Sequence, residues 1–447
     1  MPNIKHTGFL QKIGISGWEH LEVPIFASLI TGDPLIMVGG HGEAKTLAAR
    51  RIAALMGTKF GEFNCAMSNF EDVLGFPNIE SLKQGKLDYV YGPNTIWGKE
   101  FVFLDELSRS SSGMQNKWLE VIRSRSINGF PTGATFVWSA MNPLTNEYRG
   151  TKPLDLALAE RFAYILVTPS AIRFNTETKQ NVMSSFSSDD APALKLESIK
   201  LEDIQEYSVD FLELLNKVRT KLYPTIEEYF GHQLKLFNIG ITTILNASKL
   251  SVSGRRMSML YRSMIACICA KMSLNLIREI GDDQVNDICS TNLPYLLPYV
   301  LTGENSFDSG IMGRMAEAGR RAYKNGGAPF EYELIGADNF DDLYRILINN
   351  SDQKLRSDMI TRIKTKIMKY NINYAFDVLN EFINMKEVNI DGLEVISKSI
   401  GRDYLFSLPD LPDLGYSTDD PDDIINAIVG INKDRYHSIM KESFENH

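Results

Sequence analysis

Four short segments carry residues whose types and spacing suit phosphate chemistry. The run LIMVGGHGEAKT ends in Lys45-Thr46, and FVFLDEL carries Asp105-Glu106. The run FVWSAMNP places Asn142 after an apolar stretch, and LDLALAERF places Arg161 at the end of a helix-like one. An ammonium group beyond a glycine-rich turn can reach β- and γ-phosphate oxygens, and a neighbouring hydroxyl can bind Mg²⁺. Small residues at Gly39, Gly40 and Gly42 let backbone N–H groups curl around an anion. Asp105 would hold the metal together with Thr46, and Glu106 would polarise the attacking water as general base. The Asn142 amide both donates and accepts, which suits orienting that water. The Arg161 guanidinium could stabilise transition-state charge on a neighbouring subunit's γ-phosphate. The segment from Gly39 through Gly40, His41, Gly42, Glu43, Ala44, Lys45 and Thr46 to Leu47 is thus the expected ATP phosphate cradle, with Mg²⁺ as cofactor.

Each segment also has a plainer reading. Asp105-Glu106 could be a strand end followed by a helix N-cap. Asn142-Pro143 could be a turn, and Arg161 could complement a helix dipole. Ala44 stands where the usual pattern has glycine, so altered affinity is expected rather than a dead site.

Positioning these groups takes an α/β scaffold. Short apolar runs at 35–38, 60–65, 101–104, 134–139 and 163–167 read as strands buried on both faces. Amphipathic stretches alternate with them, the signature of a parallel sheet. Residues 18–32 read as a helix before the first strand, and LAARRIAALMG as a helix whose positive end faces the phosphates. Lys86–Tyr91 predicts a hairpin, and 124–133 a second one around Asn128-Gly129. Residues 170–194 are rich in Ser, Thr, Asp and Asn and read as a boundary, with Ser187–Asp190 an exposed acidic loop.

In order and in intervening text, these motifs resemble the AAA+ ATPases, and within them the MoxR-like branch, related to McrB-type and dynein-like rings. The stretches DPLIMVGGHGEAKT, FNCAMSNFEDVLGFP, YVYGPNTIWGKEFVFLDELSRSSSGMQNKWLEVIRS and MNPLTNEYRGTKPLDLALAERFAYILV carry the resemblance, over roughly 18–270. It implies a parallel-sheet P-loop core at 1–172 and a helical lid at 173–290, and residues 291–447, outside the resemblance, read as a helical C-terminal region of unassigned role. It implies that Asn142 is sensor 1 and Arg161 the arginine finger. Arg109 sits where the family often has Asn-Arg, with Ser108 replacing the asparagine. A second sensor would lie in SKLSVSGRRMSML, with Ser253 as helix cap and Arg255 in the first turn; Gly254, in place of the family's proline, leaves Arg256 as the alternative. An insertion that faces the ring's pore in that branch makes Tyr89, Tyr91 and Trp97 candidates for gripping a substrate, or equally for packing the insertion on the core.

Composition limits the rest. The chain has 447 residues, 44% hydrophobic and 23% charged, with net charge −9 and pI about 5.4. That acidity argues against whole-surface binding to a nucleic-acid backbone. Cys65, Cys267, Cys269 and Cys289 show no zinc spacing, and Cys267 with Cys269 reads as helix packing. No signal-peptide pattern and no membrane-length apolar run stands out, so a cytoplasmic protein without a membrane span is expected. Two basic stretches, at 313–327 and 354–370, could meet an acidic partner or form solvated helix faces.

The expected function is a Mg-ATP-hydrolysing hexameric ring that remodels or assembles a protein, with a von Willebrand A-type protein as the candidate partner that the resemblance implies. The competing class is a nucleic-acid or defence ATPase of the McrB kind, working with a separate nuclease.

Overall fold

The computed structural model describes residues 8–86, 89–148, 150–185, 199–248, 250, 252–277, 280–303 and 309–325. The basic stretch at 354–370, the Ser187–Asp190 loop and the acidic run STDDPDD lie outside them, as does the chain beyond 325.

Five parallel strands form the central sheet: β1 (Leu35–Val38), β2 (Phe60–Asn64), β3 (Phe101–Asp105), β4 (Phe136–Met141) and β5 (Tyr164–Val167), in the order β2-β3-β4-β1-β5. The pairing Leu35↔Trp138 and Leu35↔Tyr164 places β1 between β4 and β5. All of β1 and β4 is buried, which is why these strands read as continuous apolar runs. The fourth strand starts two residues later than the sequence suggested, at Phe136, past Gly133 with its left-handed φ of +87°.

Helix α1 (Glu22–Thr31) precedes β1, and α2 (Lys45–Leu55) follows it. The sheet order makes the chain leave β1 for the far edge and come back, so the carboxyl ends of β1, β3 and β4 gather at one crevice, where open α/β sheets bind ligands. Helix α3 (Ser112–Ser124) follows β3, and α4 (Leu156–Ala159) leads into β5. The expected hairpin at 124–133 is present: Ser126–Ile127 pairs with Phe130–Pro131. Its tip residues Asn128 and Gly129 have φ of +51° and +82°, the left-handed pair a two-residue turn requires.

The other hairpin differs from expectation. Tyr89–Val90 pairs antiparallel with Phe76–Pro77, not locally within Lys86–Tyr91, and a helix at Ile79–Lys83 lies between. The sequence spacing suggested a tight turn because the distant partner strand has only two residues.

A helical layer follows: α5 (Leu201–Lys217), a π-helical turn (Val218–Leu222), α6 (Tyr223–Ala247), α7 (Gly254–Ser273), α8 (Tyr299–Thr302) and α9 (Ser309–Asn325). Helix α5 packs on α2, and α7 packs on α1. Helix α9 packs along α6, a contact that crosses the boundary expected at residue 290. The helices approach so closely that a Cβ on Gly240 would stand 2.5 Å from the Ala318 carbonyl oxygen. Three basic residues of α9 are in ion pairs: Arg320 and Arg321 share Glu317, and Lys324 pairs with Asp283. Cys65, Cys267, Cys269 and Cys289 are buried free thiols. No helix among the described residues is long and apolar enough to cross a membrane.

Three arginines fasten the helical layer to the core. Arg262 on α7 makes a two-pronged pair with Asp33, Nη2 to Oδ1 at 2.9 Å and Nε to Oδ2 at 3.2 Å. Arg219, in the π-helical turn, donates to the Ile30 carbonyl at 3.0 Å and to that of Leu29, near the C-terminus of α1. These are carbonyls that a helix end leaves without partners. Arg256 is the third.

Candidate active site

The glycine-rich turn after β1 is moored on both sides. The Gly39 N–H donates to the Met141 carbonyl of β4 at 3.1 Å, and the Thr168 N–H, just past β5, donates to that of Val38 at 2.9 Å. Gly39 is small for a reason beyond phosphate access: a Cβ there would lie 1.6 Å from Thr168 Oγ1. The Glu43 carboxylate accepts from the Gly40 N–H at 2.8 Å and from the Thr168 hydroxyl, so the loop is braced against β5. His41 is exposed, with its ring 5.7 Å from that of Tyr148, and Leu47 is half-buried.

Ala44 adopts φ 58°, ψ 19°, the left-handed region that favours glycine. The departure from the usual pattern is therefore one of backbone conformation: the alanine keeps the turn at a cost of about 1 kcal/mol. Lys45 then opens α2. It is buried, and Nζ donates to the Gly39 and Gly40 carbonyls at 2.8 and 2.6 Å. Burial lowers the Lys45 pKa, opposed by Asp105, Glu43 and Glu106.

Thr46 Oγ1 donates to Asp105 Oδ2 at 3.1 Å, which joins the first and second sequence segments in one place. Asp105 Oδ1 accepts the Glu106 N–H at 2.8 Å. Glu106 is itself left-handed, at φ 51° and ψ 38°, and its carboxylate lies 3.2 Å from Arg109 Nη1. A strained residue directly after a strand aims its side chain out of the sheet, a pattern that clusters at functional sites. Asn142 follows β4 and is buried. Cys65, one residue beyond β2, lies beside this group; burial, then Asp105 and Glu106, push its thiol pKa up.

The hydroxyl and carboxylate oxygens of Thr46 and Asp105 are hard donors of the kind Mg²⁺ takes. A site with so few protein ligands suits an ion whose remaining positions go to water and phosphate. Among the described residues no cluster of three or more His, Cys, Asp or Glu offers an alternative metal site.

The arginines separate by burial. Arg161 follows α4 in a turn closed by its own N–H to the Leu158 carbonyl, and its Nε is buried without a partner among the described residues. Ser253 caps α7 by accepting the Arg256 N–H, and Arg255 is exposed in the first turn. Arg256 is buried and donates to the Leu296 carbonyl at 3.1 Å and the Ala159 carbonyl at 3.4 Å. Its guanidinium is therefore enclosed within the chain, which leaves Arg255 as the second-sensor candidate.

The insertion residues also separate. Trp97 Nε1 donates to the Leu74 carbonyl at 2.7 Å, and Trp97 and Tyr89 pack against the main core. Tyr91 is 60% exposed, and so are Phe76, Ile79 and Val90 at 66%, 69% and 58%. The apolar surface there is thus made mostly of residues the sequence reading did not single out. Their signal was weak because each sits in an element of two to five residues, too short for a periodicity. Thr168 and Tyr148 were missed for another reason: they meet the phosphate loop only through the fold.

A P-loop at a parallel-sheet switch point, with a threonine of the following helix hydrogen-bonded to the aspartate that ends β3, defines a nucleotide-binding α/β core of the ATPase class. Residues 16–206 match the family model of the MoxR domain in MoxR-vWA-beta-propeller ternary systems, which makes this part of the chain a MoxR-like AAA+ domain. The chain is 26% identical over 193 residues to structural protein ORF618 of Acidianus two-tailed virus. That match covers 41% of this chain and 31% of the viral protein, so the chain spans about a third of that relative's length. A crystal structure of a Cytophaga hutchinsonii protein, provisionally assigned as an ATPase, is similar with 19% identity and a TM-score of 0.45. It covers 69% of this chain and 92% of that one.

Proposed function

We propose that this chain hydrolyses Mg-ATP in a hexameric ring and uses the cycle to remodel or assemble a protein partner. The observation that carries the reading is the Thr46–Asp105 hydrogen bond beside Lys45 and Glu106, which gathers a phosphate ligand, two metal ligands and a base at one crevice. When bound, Mg²⁺ held by Thr46 and Asp105 would offset phosphate charge. Lys45 turns from the loop carbonyls to the β- and γ-phosphates. Glu106 leaves Arg109 and accepts a proton from the attacking water, which Asn142 orients. Arg255, on a lid formed by the helical layer, reads the nucleotide of its own subunit. Arg161, whose turn lies at the core's edge, completes the neighbouring subunit's site. A von Willebrand A-type protein is the partner that the family description suggests. The exposed Phe76, Ile79, Val90 and Tyr91 are the surface on which a protein substrate would be gripped.

The ring is tested by mixing. Lys45→Ala and Arg161→Ala proteins should each be inactive. A mixture, shown to co-assemble by mass measurement, should recover part of the ATPase activity, because some interfaces join an intact Lys45 to an intact Arg161. A mixture that co-assembles and stays inactive rules out the trans arginine.

A further inference from the structure

Arg256 is 2% exposed, and it lies one residue after Arg255 in the first turn of α7. A buried guanidinium is costly unless its surroundings fully compensate it. Here the compensation is thin. Two carbonyls accept from it, Leu296 at 3.1 Å and Ala159 at 3.4 Å, and Nε has no partner among the described residues. Burial lowers its pKa to about 10, partly offset by Glu160, Tyr299 and Asp33, so it stays charged at neutral pH. An apolar residue would fill this space at less cost, unless the span itself matters.

That span has a definite end point. The Ala159 carbonyl is the one that accepts the Phe162 N–H at 3.2 Å and closes the turn carrying Arg161. The same turn is held a second time from the helical layer. The Leu154 N–H, just before α4, donates to the Leu301 carbonyl of α8 at 2.9 Å. Leu301 is buried in one cluster with Leu154, Leu158, Ala159 and Phe162. The short helix before Arg161 is therefore gripped by α7 and α8 as well as by its own sheet.

We propose that Arg256 is a positioning residue linking the first turn of the lid helix α7 to the Arg161 turn, so that a lid moved by nucleotide at Arg255 sets the arginine offered to the next subunit. This rests on the ring reading above and adds to it a path from one subunit's site to its neighbour's. Arg255 and Arg256 divide the work: the exposed residue meets the subunit's own nucleotide, and the buried one carries its position to Arg161.

The test uses full-length Arg256→Met protein, with circular dichroism melting as a folding control. Alone, it should bind ATP within about twofold of the unmodified protein, with kcat down about ten- to a hundredfold, as expected when a charge-stabilising group is displaced by about an ångström. Mixed with Lys45→Ala protein, it should recover activity, because its own sites are intact and the Lys45→Ala neighbour supplies a well-placed Arg161. If Arg256 served only its own subunit's site, the mixture would stay as slow as Arg256→Met alone, and the proposal would fall. Unchanged kcat, or lost ATP affinity, in Arg256→Met alone would also overturn it. Should Arg256→Met fail to fold, Arg256→Lys takes its place, since it keeps the charge but not the two-pronged reach; the same outcomes apply. Lys45→Ala with Arg161→Ala runs in parallel. Recovery there but not with the Arg256 variant rejects the link and leaves the ring standing. No recovery in either rejects both.

Discussion

The two ends of the central sheet treat polar groups in opposite ways. At the carboxyl end, Ala44 and Glu106 sit in left-handed conformations, and Lys45 and Glu106 have partners they must exchange to act. At the amino end, Arg219 satisfies the last carbonyls of α1, and Arg262 closes on Asp33 with both prongs. Each end holds a left-handed residue, Arg125 at φ 55° with its side chain on the Gly32 carbonyl being that of the amino end, but the exchangeable contacts lie at the carboxyl end. The contrast suggests that stability is concentrated where the helical layer joins the core, and that the crevice is allowed to be locally costly.

The largest expected stability effect lies at the matched end. Arg219→Ala strands two carbonyls of α1 and removes a cation that lies 6.0 Å from the Phe136 ring centroid. It should cost about 3 kcal/mol in denaturant unfolding while leaving ATP affinity unchanged. An equal loss of affinity would show that the two ends are not independent.

Glu22 is the exception that sharpens the contrast. It is the buried first residue of α1 and accepts the Leu10 N–H at 2.9 Å, and burial raises its pKa from 4.5 to about 7. The folded state therefore binds a proton that the unfolded chain has released between those values, and stability falls as pH rises through that window. Above it the penalty is full. Glu22→Gln keeps an acceptor for Leu10 and removes the charge. It should stabilise the protein by about 2 kcal/mol at pH 8 and by little at pH 4, read from urea midpoints at the two pH values. Equal effects at both would mean Glu22 ionises normally.

The smallest expected effect is at the crevice. Ala44→Gly relieves the left-handed strain and should raise stability by about 1 kcal/mol. ATP affinity should change as well, since this backbone meets the phosphates. A loss of stability would show that the alanine methyl is packed rather than strained.

Much of the crevice was legible in the sequence. Lys45-Thr46 follow the four-residue strand β1 across one glycine-rich turn, and Asp105 ends the five-residue β3, so both pairs already lie at one sheet edge. The Asn128-Gly129 hairpin was legible because its turn chemistry is local. The Phe76–Pro77 pairing with Tyr89–Val90 was not, because two-residue strands have no period to read. Nor was the division between Arg255 and Arg256. Adjacent arginines in a helix look alike until the carbonyls of Ala159 and Leu296, roughly 100 and 40 residues away in sequence, claim one of them. Thr168 and Tyr148 were hidden for the same reason.

The central claim is that Glu106 is the base of an ATP-hydrolysing site. The most direct measurement compares ATP binding, by equilibrium titration, with steady-state phosphate release for the unmodified chain and for Glu106→Gln. Glu106→Gln should bind ATP about as well as the unmodified chain and release phosphate at least about a hundredfold more slowly, because only the proton acceptor is lost. Phosphate release at the unmodified rate, or an unmodified chain that neither binds nor hydrolyses ATP, would contradict the account.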